Sequence, residues 1–340
     1  MLKAVLFKSK ERFVAFQRTL EGKGVDCTVL DFARHDWIDF DYRNIDFIIY
    51  YPSFSYSANY PLALHEVYDN LMFIKSRYPE SLIYPDPNSI QFYNDKYKQY
   101  LFLKTYNYPI PTTYPLLSEA SVDLADEQLG YPMVVKNRYG AGGSAVFKVS
   151  SKKELLKYYH LSTMNLFSVD ALKYFWGIAT KRIFYYHLIK ARRMTYPFLS
   201  PPLLAQKFVT MDRDLKTVIG NYKVVEAHWR IQAHKEQWKV NIDGGGIGMW
   251  SAVPQDAIDL SEKLATDLKT SWLNIDMIPY EGSFLITEFS PVWHHYAYKE
   301  KPSFVYKDDY NIDTPLEISL NLEKIIVESL IRSAKEKKVK

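Results

Sequence analysis

The chain has 340 residues, of which 47% are hydrophobic and 24% charged, so it can bury two or three cores and is not a disordered protein. The formal charge of +4 is small for this length and does not favour nucleic acid as a partner. The single cysteine, Cys27, excludes an internal disulfide and a cysteine metal cage. Together with the lack of a signal-peptide pattern or a transmembrane-length apolar run, this predicts a cytoplasmic protein.

Residues 1–87 alternate between strand-like and helix-like patterns, which predicts a small doubly wound α/β domain. Asn88 follows as a candidate N-cap of a helix, and the proline-rich PIPTTYP at 109–115 ends that helix, so 88–115 is interpreted as a helix and linker. The predicted strands are 3–7, 27–32, 46–51 and 81–85, and the predicted helices are 11–21 and 62–77.

Residues 116–340 have short strands and glycine loops, which predicts an α+β arrangement in two parts, 116–210 and 211–340. The first part contains a helical insert at about 151–196. Its predicted strands are 131–136 and 146–150, and further strands are LLAQKFV, KTVIGN, KVVEAHWRI, QWKVNI and those around Asp276 and Glu288, with helices near 255–271 and 315–335.

The loop NRYGAGGSA at 137–145 is the clearest local motif. Its glycines let the backbone approach a ligand and direct N–H groups at an anion, and Lys136 adds a charge at the end of the preceding strand. A triphosphate fits this pattern, and a flexible hairpin tip is the alternative. The loop is not a Walker motif, because no Lys-Ser/Thr pair follows the glycines into a helix.

Asp276 and Glu288 lie in two predicted strands joined by a turn at Glu281 and Gly282. A hairpin would bring the two carboxylates side by side, and converging hard oxygen ligands suit magnesium. Each carboxylate taken separately is more often a solvated strand residue. Their combination with a phosphate loop favours a metal site.

In chain order these segments resemble the ATP-grasp superfamily, and within it the RimK-like ribosomal-protein glutamate ligases, over roughly residues 80–325. NDKYKQYLFLKTYNYPIPTT resembles the segment whose lysine reaches the ATP phosphates, and YPMVVKNRYGAGGSAV resembles the lysine strand and phosphate loop. LLAQKFV is similar to the hinge strand that holds adenine. The resemblance implies an ATP-grasp fold and these ATP-binding residues: Lys96, Lys136, Gly140, Gly142, Gly143, Ser144, Gln206, Lys207, Phe208, Val209 and Asp214.

The resemblance also implies a carboxylate-amine ligase that forms an amide or peptide bond through an acyl phosphate. Arg230 and Lys239 match basic positions near the transferred phosphate and would be catalytic. Asp276, Glu288 and Ser290 would hold Mg²⁺, with Mn²⁺ as an alternative. The implied substrates are a small carboxylic acid and an amine, such as an amino acid, a peptide or a sugar acid. Assembly into a homo-oligomer is left open.

Two residues depart from the family pattern. Ser290 stands where the family has a metal-binding Asn, and Lys216 stands where it has the Arg of a D-x-R motif, so a bidentate fork is lost while the charge remains. These departures keep a second hypothesis open, a nucleotide-binding regulatory protein without turnover. A third is binding of a polyanion or membrane surface by the basic stretch 181–193, whose alternative is a partly solvated, packed helix.

Two further assignments stay open in the sequence. The adjacent histidines His294 and His295 would face opposite ways in a strand, so one contacts substrate or both are structural. The base that deprotonates the attacking amine is not identified, and Asp243 and the substrate phosphate are the candidates.

Overall fold

The structure is a computed structural model, and it describes residues 1–9, 12–52, 63–140, 146–163, 169–184, 199–234, 238–240, 246–249, 253–292, 303–305, 316–318 and 321–339. The described strands form three sheets, one parallel and two mainly antiparallel. The predicted combination of an α/β region with an α+β region is confirmed.

The first sheet is parallel, with the strand order β2-β1-β3-β4, and it carries the predicted doubly wound pattern. Phe7, Phe16 and Phe47 are fully buried in its core, because the apolar strand residues and the apolar face of the first helix meet there. The elements are β1 (Lys3–Phe7), α1 (Phe13–Gly22), β2 (Asp26–Leu30), α2 (Asp36–Asp39), β3 (Phe47–Ile49), α3 (Ala63–Arg77) and β4 (Leu82–Tyr84).

The segment after β4 is two helices rather than the single predicted one. Asp86 caps α4 (Pro87–Ile90), and Asp95 caps α5 (Lys96–Thr105) by accepting hydrogen bonds from two backbone N–H groups. The predicted N-cap Asn88 is therefore wrong. Asn94 has φ 56°, a left-handed conformation that ends a helix, so a new helix begins after it.

The second sheet is antiparallel with the order β5-β8-β6-β7. Its edge strand β5 begins inside the proline-rich stretch that the sequence predicts to be a linker. The elements are β5 (Thr113–Leu116), α6 (Glu119–Leu129), β6 (Met133–Lys136), β7 (Val146–Val149), α7 (Lys152–Ser162), α8 (Val169–Phe184) and β8 (Leu203–Lys207). Helices α7 and α8 confirm that the described part of the insert is helical.

The third sheet has the order β13-β12-β9-β10-β14-β15, with β11 also paired to β10. One face packs on α9 through apolar residues such as Leu215, Ile275 and Phe289, which alternate with polar residues of the other face. The elements are β9 (Arg213–Gly220), β10 (Lys223–Ile231), β11 (Ile247–Met249), α9 (Gln255–Asp267), β12 (Trp272–Tyr280), β13 (Ser283–Ser290), β14 (Ser303–Val305), β15 (Leu316–Ile318) and α10 (Leu322–Val339).

Two predictions about the third sheet have different outcomes. The hairpin is confirmed, because Glu281 and Gly282 have φ 48° and 79° and join β12 to β13 by a two-residue turn. The strand predicted for QWKVNI is wrong within residues 238–240, which belong to no strand. Helix α10 packs on α1 of the first region, where Arg12 and Glu323 form a 2.7 Å ion pair.

Candidate active site

A row of four polar residues crosses the third sheet on the face opposite α9. Strand pairing places His228 beside Lys216, Lys216 beside Asp276, and Asp276 beside Glu288. The hairpin, together with a register shift between Asp276 and Met277, brings the two predicted metal carboxylates into directly opposed positions, where cross-strand side chains are close neighbours.

Asp276 lies between two cations. Its Oδ1 is 3.1 Å from Lys216 Nζ and its Oδ2 is 3.1 Å from an Arg230 guanidinium nitrogen. Burial opposes ionisation, but the charges of Arg230 and Lys216 outweigh it and hold the pKa of Asp276 well below its usual range. The carboxylate is therefore ionised at any physiological pH.

Arg230 is buried and holds a second carboxylate. Its Nε and Nη2 donate to the two carboxylate oxygens of Asp214 at 2.7 and 2.6 Å, a bidentate pairing. Burial disfavours the guanidinium charge, but Asp276 and Asp214 keep the pKa of Arg230 above its ordinary value. The arrangement fixes Arg230 against the sheet beside Asp276.

Glu288 faces the two predicted phosphate lysines. Lys96 Nζ is 3.4 Å from Glu288 Oε1 and also donates to the carbonyl of Gly140. Lys136 Nζ donates to the carbonyl of Thr287 at 3.3 Å. Burial lowers the pKa of Lys136 to about 8, and the positive charge of Lys96 contributes, against the attraction of Glu288.

The charges of the site sum to a positive excess. The cations are Lys96, Lys136, Lys216 and Arg230, and the anions are Asp214, Asp276 and Glu288. One positive charge is left over, and two lysines lie beside the start of the glycine loop. Such a site favours a polyanionic ligand over a free divalent cation.

Lys96 is held in place by the cap of its own helix. Asp95 accepts from the backbone N–H of Tyr97 and Lys98, and Arg138 binds both Asp95 carboxylate oxygens at 2.8 to 3.1 Å. The Lys96 N–H donates to the Arg138 carbonyl at 2.9 Å. The helix start is thereby tied to the end of β6, where the glycine loop begins.

Asp95→Ala is expected to lower the free energy of unfolding by about 1 to 2 kcal/mol, because a helix cap is lost. It should also weaken nucleotide binding, because the ion pair of Asp95 with Arg138, which helps to hold the start of the Lys96 helix, is lost. Thermal unfolding and calorimetric ATP titration measure the two effects. Asp95→Asn is the matched control: it keeps an oxygen that accepts the cap hydrogen bonds, so it should recover most of the stability. Equal loss of stability in both variants would contradict the cap assignment.

The other predicted phosphate and adenine residues are placed as follows. Gly140 is buried with φ 124°, a conformation that favours glycine, whereas Gly142, Gly143 and Ser144 lie outside the described residues. In β8, Gln206 is buried and its side chain donates to Thr113, and the Lys207 N–H donates to the Thr112 carbonyl at 2.8 Å. Phe208 and Val209 follow the last paired residue of β8.

Lys239 Nζ lies 4.9 Å from the ring centroid of Trp238, and burial lowers the pKa of Lys239. Ser290 lies next to Glu288 on the same strand face, and its hydroxyl bonds to the backbone of Val292. Asp243, His294 and His295 lie outside the described residues.

Sequence reasoning missed three buried polar residues on the same sheet face. Glu226 and His228 of β10 are joined by a 3.2 Å contact, and Asn274 of β12 lies beside Ser290. The signal was present as polar residues at alternate positions of otherwise apolar strands, as in NID and EAHWR. Strand pairing was needed to show that these residues share a face.

The donors on this face fit a hard cation bound together with phosphates. Asp276 and Glu288 are opposed carboxylates, and Asn274 Oδ1 is a buried oxygen for which the described part of the chain offers no hydrogen-bond partner. Among the described residues no group of three or more His, Cys, Asp and Glu side chains is positioned to hold a metal by itself. Phosphate oxygens would have to complete the coordination.

The ATP-grasp domain family matches residues 93–165, which include Lys96, Lys136 and the glycine loop. No curated protein sequence matches the chain.

Solved structures of ATP-grasp proteins superpose on nearly the whole chain. A RimK domain protein from Sphaerobacter thermophilus has a TM-score of 0.54 at 10% identity and covers 97% of this chain and 99% of its own. D-alanine–D-alanine ligase from Bacillus anthracis has a TM-score of 0.57 at 14% identity, covering 99% and 100%. The ATP-grasp ligase PsnB, complexed with a minimal precursor, has a TM-score of 0.58 at 11% identity, covering 98% of both chains.

The chain therefore has the ATP-grasp fold, and the predicted resemblance to the RimK-like proteins is confirmed at the level of the fold. Within the described residues, no helix has both the length and the apolar character needed to cross a membrane.

Proposed function

We propose that the protein is an ATP-dependent carboxylate-amine ligase that makes an amide or peptide bond through an acyl phosphate. The observation that carries the proposal is the opposed pair Asp276 and Glu288, set among Lys96, Lys136 and Arg230 at the start of a glycine loop. Carboxylates for a metal and cations for phosphates at one place are what phosphoryl transfer from ATP requires.

The proposed reaction has two steps. A carboxylate oxygen of the first substrate attacks the γ-phosphorus, the bond to the β-phosphate oxygen breaks, and ADP leaves. The amine nitrogen of the second substrate then attacks the acyl carbon, the bond to the phosphate oxygen breaks, and inorganic phosphate leaves. The ammonium proton passes to a base, for which the phosphate and Asp243 remain the candidates.

The side chains of this site would position the reacting groups and neutralise their negative charge. Lys96 and Lys136 would bind the ATP phosphates, and Arg230 would stabilise charge on the group in transfer while Asp214 fixes its orientation. Asp276 and Glu288 would hold Mg²⁺ or Mn²⁺, which when bound neutralises phosphate charge. The backbone at the end of β8 and just after it, from Gln206 to Val209, would border the adenine. Ser290 as a metal ligand and Lys239 as a catalytic residue also remain proposals.

The substrate classes follow from proteins with the same fold. One neighbour is a D-alanine–D-alanine ligase and another was solved with a precursor peptide, so amino acids and peptides are the first candidates here. The predicted cytoplasmic location, homo-oligomer and division at residues 87, 115 and 210 remain proposals as well.

A matrix of amino acids, dipeptides and sugar acids, each tested with ATP and Mg²⁺, is expected to give ADP release that needs both an acid and an amine. Mass spectrometry should detect a product equal to the sum of the two substrates minus one water. Hydroxylamine should trap the acyl phosphate as a hydroxamate when the amine is omitted. Tight ATP binding without any substrate-dependent ADP release would favour the regulatory alternative.

The regulatory alternative rests on Lys216 and Ser290, which replace an Arg and an Asn of the family pattern. Lys216 keeps a 3.1 Å ion pair with Asp276, so a cation is retained at that position. The third hypothesis uses the basic stretch 181–193, whose side chains lie outside the described part of the chain. Salt-sensitive binding to anionic vesicles or RNA, lost on neutralising Lys190, Arg192 and Arg193, would support it.

A further inference from the structure

The position that should supply an amide oxygen to the metal carries a hydroxyl that is already engaged. Ser290 Oγ donates to the carbonyl of Val292 at 3.2 Å and accepts from the Val292 N–H at 3.3 Å. A hydroxyl has one proton and two lone pairs, so these two bonds use the proton and one lone pair. The Ser290 side chain is also short, and it is hydrogen-bonded to the backbone just beyond the end of β13.

The residue directly across from Ser290 is an asparagine. Strand pairing aligns Asn274 with Ser290. This pair lies two residues along the strands from the pair Asp276 and Glu288. Residues two apart in a strand share a face, so Asn274 is on the same face as Asp276. All four residues therefore belong to one face of the hairpin.

Asn274 is oriented but only half satisfied. It is 2% exposed, and its Nδ2 donates to the Val292 carbonyl at 3.0 Å, which shows that the side chain reaches across to the end of β13. Its Oδ1 is buried and has no hydrogen-bond partner among the described residues. A buried acceptor without a donor costs free energy unless a ligand meets it, so this oxygen is unusual in a core position.

We propose that Asn274 Oδ1 is the amide ligand of the divalent cation, so that the ligand has moved across the hairpin from the Ser290 position to the facing strand. This inference rests on the proposed ATP-dependent function. An amide carbonyl is a hard, neutral oxygen of the kind Mg²⁺ and Mn²⁺ bind, and the bond from Nδ2 to Val292 orients it in advance. It completes a set of two carboxylates and one amide from residues of a single hairpin.

The test measures metal binding rather than turnover. Mn²⁺ is titrated by electron paramagnetic resonance into protein saturated with a non-hydrolysable ATP analogue. Asn274→Ala is expected to raise the Mn²⁺ dissociation constant by about 10- to 100-fold. Affinity for the analogue in EDTA should stay within about twofold, because the metal is absent. Asn88→Ala, an exposed asparagine on α4, is the matched control and should bind Mn²⁺ as the wild type does.

A second-site rescue separates ligation from a packing role. Adding Ser290→Asn to Asn274→Ala returns an amide to the facing position and is expected to restore most of the Mn²⁺ affinity, although the hydrogen bond from Asn274 to Val292 stays lost. Where Asn274→Ala lowers the melting temperature too far to titrate, Asn274→Asp is used. Its added anionic oxygen should tighten Mn²⁺ binding and enlarge the thermal shift produced by Mn²⁺ with the analogue.

The outcomes distinguish the inference from the function it rests on. Wild-type protein that binds the analogue with Mn²⁺, together with unchanged Mn²⁺ affinity in Asn274→Ala, overturns the role of Asn274 alone. Weak binding that Ser290→Asn does not restore also overturns it, because that pattern indicates packing. Weaker or unchanged Mn²⁺ binding in Asn274→Asp overturns it as well. Wild-type protein that binds no nucleotide overturns the proposed function and this inference with it.

Discussion

Glu288→Gln is expected to lower the rate of ADP formation by about a thousandfold or more at millimolar Mg²⁺. The change keeps the size of the side chain but removes a charge that would bind the proposed metal, and several kcal/mol of transition-state stabilisation correspond to roughly this factor. It also removes the anionic partner of Lys96, which lies 3.4 Å from Glu288 Oε1. The measurement is a magnesium titration of ADP formation with the substrate pair found in the screen.

The fold should survive the Glu288 change. Glu288 is part-exposed and its strand is held by backbone pairing with β12 and by hydrogen bonds from Phe289 and Ile286 to other segments. Glu328→Gln is the matched control, because Glu328 forms an ion pair with Lys23 at the surface. This variant should form ADP at the wild-type rate. Full activity of Glu288→Gln at ordinary Mg²⁺ would remove the metal site and the ligase proposal together.

Lys136→Met is expected to weaken ATP binding by about 100-fold, because a charge-assisted contact with phosphate in a buried site is lost. The thermal stability should be kept or raised, since the variant removes a buried cation whose charged form the folded state disfavours. Calorimetric titration of ATP and thermal unfolding give the two quantities. Wild-type affinity in Lys136→Met would place the phosphates elsewhere.

The pH dependence of binding gives an independent test of Lys136. Burial lowers its pKa to about 8, so the free protein loses this charge as the pH rises through that value. Phosphate binding favours the charged lysine, so ATP affinity should be full below pH 8 and should fall between about pH 8 and 10, with proton uptake on binding. Lys136→Arg should flatten this fall, because a guanidinium stays charged there. The same slope in both proteins would contradict the assignment.

The same pKa has a consequence for stability with a defined sign. An unfolded lysine has a pKa of about 10.4, so in this window the unfolded chain binds more protons than the folded one. Stability of the ligand-free protein therefore rises with pH between about 8 and 10 through this group. ATP affinity and stability change in opposite directions, which distinguishes Lys136 from a general alkaline loss of structure.

Local patterns in the sequence were sufficient for most of the fold. Apolar runs bounded by turn residues predicted the parallel strands of the first region, and Glu281-Gly282 predicted the hairpin, because a two-residue turn with positive φ needs such residues. These features depend on neighbours in the chain, and the sequence contains them directly. The spacing around the turn would by itself pair Asp276 with Thr287, and a register shift between Asp276 and Met277 places Asp276 opposite Glu288 instead.

Contacts between distant segments were decided only by the tertiary structure. Asp95 caps α5, and its carboxylate is bound by Arg138 from the segment that follows β6, 43 residues further along the chain. The predicted linker at 109–115 supplied an edge strand because β8, almost a hundred residues later, offers it a partner. Pairing energy of this kind depends on which strand lies alongside, and no local pattern records it.

The residues of the site divide in the same way, into those that motifs identify and those that only the tertiary structure brings together. Lys96, Lys136, Asp276 and Glu288 could be chosen from motifs, whereas the ion pair of Lys216 with Asp276 and the position of Asn274 across from Ser290 became visible only through the register of β9, β12 and β13. A one-residue shift in either pairing would move these side chains to the apolar face against α9. The sequence alone determined which polar residues the strands carry. Only the register decided which of them meet, because residues that are paired across neighbouring strands point to the same face of the sheet.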